Sequence, residues 1–89
     1  MSERTVAIGS AQGLHARPAT LFAQAAGQAG IPVRIGRPGG PAVDASSMLM
    51  LMTLSAAHGD EVVVSADGPD ADRVLDELAA LLARDLDAQ

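Results

Sequence analysis

The stretch EVVVSADGPDADRVLDELAALLARDL, residues 61–86, reads as a strand, a turn and a helix in that order. Val62 and Val64 share one face of 61–66 and Val63 lies on the other, which is the two-residue period of an extended chain. Asp67, Gly68, Pro69 and Asp70 interrupt it. Proline suits the first turn of a helix, and acidic residues there favour the positive end of the helix dipole. Ala71, Val74, Leu75, Leu78, Leu81, Leu82 and Leu86 then recur at spacings that keep them on one side of a helix. Asp70, Asp72, Arg73, Asp76 and Glu77 form a solvated face, with Arg73 able to pair with Glu77 four residues on. A strand and a helix that each have one apolar face are two layers that cover each other.

Working back toward the N-terminus, 57–60 is a turn, and the apolar run 48–54 is a short helix that starts after Ser46 and Ser47. Residues 42–44 form a short return strand, reached through a turn at 37–41 rich in glycine and proline. Ile31, Val33 and Ile35 alternate with Pro32 and Arg34 as a strand, with Pro32 near its start. Ala19, Phe22, Ala23 and Ala26 mark a helix from Ala16 that Gly27 and Gly30 bring to an end. Val6 and Ile8 share a face of a first strand over 5–8 that ends at Gly9. The order is βαββαβα. It predicts an α+β fold of two layers: a four-stranded, mostly antiparallel sheet with three helices on one face. Residues 1–89 are expected to form one domain.

Composition narrows the function. The chain has 89 residues, a net charge of -5, no cysteine and a single aromatic, Phe22. Without cysteine there are no disulfides and no thiolate metal sites, which fits a reducing compartment. The acidic balance repels a nucleic-acid backbone, and one aromatic cannot build a stacking platform for single strands. No apolar run is long enough to span a bilayer, and the N-terminus has no leader-like apolar segment, so a cytoplasmic location is expected. His58 sits in a turn beside Gly59 and reads as a solvated residue; two histidines far apart predict no metal site and no cofactor.

The chemistry is concentrated in Gly13-Leu14-His15-Ala16-Arg17-Pro18-Ala19. His15 lies where a loop becomes a helix. The first amides of a helix have no intrahelical acceptor and attract anions, so a phosphoryl group on His15 would lie over the amides of Ala16 and Arg17. Pro18 is compatible with the first turn. A neutral imidazole is a good nucleophile near neutral pH, and a helix N-terminus disfavours the imidazolium. Arg17 offers forked, permanently charged donors that match a phosphoryl group in transfer.

Gly13 to Ala19 resembles, without interruption, the active-site signature of the HPr family, the histidine-containing phosphocarriers of the bacterial phosphoenolpyruvate:sugar phosphotransferase system. Family members have about this length and are open-faced β-sandwiches of the same element order. The segment Ser47-Met48-Leu49-Met50-Leu51-Met52-Thr53-Leu54 resembles a second family segment, a serine followed by an apolar helix. The resemblance implies a carrier and not an enzyme. It implies that His15 accepts the phosphoryl group from phosphorylated enzyme I, assisted by Arg17, and donates it to the IIA domains of sugar permeases. It also implies a monomer.

In many relatives the serine of the second segment is a regulatory target of HPr kinase/phosphorylase, and Ser47 is the matching residue. Ser46 stands where many kinase substrates have a basic residue, and Met50 where a small one is common. Either Ser46 or Ser47 also suits a helix N-cap, and capping is read as the main role. Five apolar residues, 48–52, exceed one buried face of so short a helix. Leu51 and Leu54 are expected inward and some methionines outward. Met48, Leu49 and Met50 then become a docking patch for enzyme I and IIA domains. A regulatory or interaction module of the same fold is the alternative, as is a carrier in a nitrogen-related or dihydroxyacetone-kinase phosphorelay. The presence of both His15 and Arg17 favours the phosphocarrier.

Overall fold

The computed structural model describes residues 2–9, 13, 16–54 and 57–84. Its elements are β1 (Ser2–Ala7), α1 (Ala16–Gly27), β2 (Val33–Gly36), β3 (Ala42–Asp44), α2 (Met48–Thr53), β4 (Glu61–Ala66) and α3 (Ala71–Ala83). The strands form one sheet in the order β1-β4-β2-β3, and every neighbouring pair is antiparallel. The element order is the one read from the periodicities.

The apolar stripes meet where the periodicity places them. Phe22, Ile35, Leu51, Val62, Val64 and Leu75 are fully buried, and Ala19, Ala23, Ala26, Val33, Val74, Leu78 and Leu82 complete the same core. Burying each large aliphatic side chain contributes about 1.5–3 kcal/mol. Leu86, the last position of the α3 stripe, lies outside the described residues. The opposite face of the sheet presents Glu3, Thr5, Arg34, Asp44 and Glu61 to solvent.

The ends of three elements differ from the sequence reading. β1 begins at Ser2, not at residue 5, because Ser2, Glu3 and Arg4 pair with Ala66, Ser65 and Val64 of β4. These residues carry no apolar alternation; the ladder makes them a strand. Arg4 shares the helix-covered side with Val6, and its guanidinium reaches out to α3, donating to Asp76 at 2.9 Å and Asp72 at 3.3 Å. Hydrogen bonds from Ser2 and Arg4 hold the Asp72 carboxyl below its ordinary value. Ile8 falls just past the strand but is buried, and its amide donates to the Asp60 carbonyl at 2.9 Å. β2 starts only at Val33, after Pro32. Pro69 lies in the turn ahead of the N-cap Asp70 and not in the first helical turn.

Gly9 ties the end of the first strand segment to the end of α3. Its amide donates to the Leu82 carbonyl at 2.9 Å, and a Cβ placed there would overlap the Ala83 carbonyl. The need for glycine here is close approach to backbone. Gly9→Ala is therefore expected to cost about 1–3 kcal/mol, as overpacking against an unyielding neighbour does. Gly27→Ala is the control: its Cβ would meet only the Ser46 Cβ at 3.8 Å. At the end of a helix that change is neutral or slightly stabilising. Urea midpoints of the two variants, measured side by side, check the contrast; equal midpoints would remove the role given to Gly9.

Among the described residues no helix is long and apolar enough to cross a membrane.

Candidate functional site

Gly13 is buried with φ at 79°, in the left-handed region. A residue with a Cβ pays about 1–2 kcal/mol to stay there, which explains a glycine at the head of the signature. Leu14 and His15 lie outside the described residues. α1 begins at Ala16, directly after His15 in the chain. Arg17 is exposed in its first turn, as expected. Pro18 is the third helical residue, and its ring is fully buried. At that position an N–H would have no intrahelical acceptor, so proline contributes apolar surface without forfeiting a hydrogen bond. The first turn of α1 contains no acidic residue, so nothing on the helix itself offsets the positive end of its dipole.

α2 packs against α1. Of the two serines ahead of it, Ser47 is the N-cap: its backbone is extended, and its hydroxyl accepts from the Met50 amide at 3.3 Å. Ser46 is engaged elsewhere. Its hydroxyl and amide donate to the Asp44 carboxylate at 2.7 and 2.9 Å, and these two bonds hold that carboxyl below its ordinary value. Leu51 is fully buried and Leu54 half-buried. Met48, Leu49, Met50 and Met52 are 42%, 72%, 37% and 43% exposed. The geometry follows from the helix period: with Leu51 facing the core, Leu49 points away from it, and Met50 and Met52 flank it on either side. The mixture expected from the sequence is present, and Met52 joins the exposed set.

Two further contacts had no signal in the sequence. The Thr20 hydroxyl of α1 donates to the Met48 sulfur at 2.8 Å, linking the two helices one turn beyond Arg17. Asp60 accepts from the Ala57 amide at 3.0 Å and from Arg37 at 3.1 Å. The amide and the guanidinium hold its carboxyl below the ordinary value. That bond joins the turn after α2 to the β2–β3 hairpin, while the Gly59 amide donates to the Ile8 carbonyl at 2.9 Å. Residue pairs so distant in sequence leave no periodicity to read. His58 is exposed in this turn. Among the described residues no group of three or more His, Cys, Asp or Glu is placed to hold a metal ion.

Comparison with known proteins agrees with this arrangement. The family described as "PTS HPr component phosphorylation site" matches residues 2–84. The chain is 45% identical over 87 residues to the phosphocarrier protein HPr of Streptomyces coelicolor, covering 98% of this chain and 94% of that protein. It is 35% identical over 86 residues to the HPr-like protein Crh of Bacillus subtilis, covering 97% of this chain and all of that one (100%). The crystal structure of HPr from Bacillus anthracis superposes with a TM-score of 0.84 at 32% identity, covering 91% of this chain and 95% of that one. A fully antiparallel four-stranded sheet under three helices, with the signature at the head of α1 and near-complete matches to such carriers, places the chain in the HPr family, the phosphocarriers of the phosphotransferase system.

Proposed function

We propose that His15 is the phosphoryl acceptor, charged by phosphorylated enzyme I and discharged to IIA domains of sugar permeases. The observation that carries this reading is the start of α1 immediately after His15, with a buried Pro18 and an exposed Arg17 in its first turn. The Ala16 and Arg17 amides are the donors of a helix start, a setting that favours phosphate. Arg17 supplies the positive charge that an acidic protein needs to stabilise a phosphoryl group in transfer. Met48, Leu49 and Met50 are the apolar contact surface for the partners, presented beside α1 in a cytoplasmic monomer. Incubation with enzyme I and phosphoenolpyruvate, followed by mass measurement, tests the reading. One phosphoryl group should be added, labile in acid and resistant to base, as a phosphoramidate is. An acid-stable label would count against histidine.

Ser47 joins this surface as a regulatory phosphorylation site for HPr kinase/phosphorylase. Its capping role makes a clean experiment, because aspartate caps a helix about as well as serine. Ser47→Asp should keep α2 and add only charge, slowing phosphorylation by enzyme I through repulsion between surfaces. Raising salt should shrink the deficit. Ser47→Ala should transfer normally and lose about 1 kcal/mol of stability with the cap. Equal transfer rates for wild type and Ser47→Asp at low salt would leave Ser47 a structural residue.

A further inference from the structure

The described part of the chain holds its sulfur in one place. Met48, Met50 and Met52 alternate with Leu49 and Leu51 along α2, and all three methionines are substantially exposed. The chain has no cysteine, and its one aromatic, Phe22, is fully buried. The accessible thioethers are thus the side chains of this surface most open to mild two-electron oxidation. α2 has anchorage besides the Thr20–Met48 contact. Leu51 is the side chain it buries, and Ser47 caps its start. A change at the methionines therefore reaches the surface while the buried Leu51 and the Ser47 cap still hold the helix.

We infer that Met48, Met50 and Met52 form a reversible oxidation site that sets the affinity of this surface for its partners. The reactant is hydrogen peroxide. A lone pair of the thioether sulfur attacks one peroxide oxygen, the O–O bond breaks, and the departing hydroxide takes the proton from the oxygen now on sulfur and leaves as water. Sulfur is oxidised by two electrons to the sulfoxide and the peroxide is reduced by two. Return requires a dithiol, which becomes a disulfide as the sulfoxide oxygen leaves as water. The product is a polar, chiral side chain with a strong acceptor oxygen. At Met48 the Thr20 hydroxyl, already donating to the sulfur at 2.8 Å, is placed to donate to that oxygen. At Met50 and Met52 the oxygen would face solvent in the free protein. In a complex it would be an acceptor buried in an apolar contact, which is costly without a donor opposite.

The consequence for transfer rests on the reading that α2 docks the partners. The test treats the whole chain with graded hydrogen peroxide and maps sulfoxides by peptide mass spectrometry. KM for the carrier is then measured in phosphorylation by enzyme I and phosphoenolpyruvate. Sulfoxides should accumulate at 48, 50 and 52 without a change in the urea midpoint. KM should rise by about tenfold, the equivalent of one buried apolar side chain lost from a contact. Methionine sulfoxide reductase with a dithiol should restore it. The variant with Met48→Leu, Met50→Leu and Met52→Leu retains Met1, and its KM, whatever its starting value, should not respond to peroxide. Sulfoxides formed at the three positions with no rise in KM would overturn the inference. So would an equal response of the leucine variant, or no sulfoxide at these positions under conditions that oxidise a free methionine peptide. An untreated carrier that accepts no phosphoryl group would instead overturn the functional reading, and the docking consequence with it.

Discussion

His15→Ala is expected to accept no phosphoryl group from phosphorylated enzyme I, at any enzyme concentration and any time. The loss should be complete because the step is covalent. The imidazole nitrogen is the nucleophile, and alanine supplies no lone pair in its place. His58 cannot substitute, because it is exposed in the turn after α2 and is not attached to a helix start. The informative comparison is His58→Ala, which should be phosphorylated like the wild type. Mass measurement of all three proteins after incubation with enzyme I and phosphoenolpyruvate decides it. A phosphoryl group retained by His15→Ala would remove His15 from the acceptor role, and one lost in His58→Ala alone would move that role to the other histidine.

Arg17→Ala is expected to slow transfer on the order of 10²-fold, the usual cost of losing one preorganised donor to a developing charge. Phosphoryl transfer leaves little covalent work to the protein, so positioning and charge carry most of the catalysis. The same substitution should change stability by less than about 0.5 kcal/mol, because Arg17 is exposed in the first turn of α1. The separation of the two effects is the diagnostic. Arg17→Lys keeps the charge but loses the planar fork, so its rate should fall between the other two. Rapid-quench measurement of single transfers, paired with urea titration, gives both quantities. A rate unchanged in Arg17→Ala would leave the arginine as a surface charge. A large loss of stability would show that its role is structural.

Much of this protein is legible in its sequence. The stripes at 19–26 and 71–82 and the alternation at 61–66 became α1, α3 and β4, and the residues they marked are the core. Such patterns can be read because each depends on one period: an apolar residue every two positions, or every three to four, has only one way to face a common interior. The signature 13–19 was legible for a related reason. Its described parts meet local backbone needs: Gly13 at a positive φ, and Pro18 where a missing N–H costs nothing.

What the tertiary structure alone decided lies between segments far apart in the chain. Residues 2–4 are a strand because β4 offers them a ladder, and Arg4 reaches Asp72 and Asp76 across some seventy positions. Gly9 is required because the end of α3 comes to rest against it. In each case the deciding group is a backbone or side chain brought close by the packing of other elements. Sequence patterns record the faces that elements must bury; which neighbour meets each face, and at what distance, is set only when the layers close.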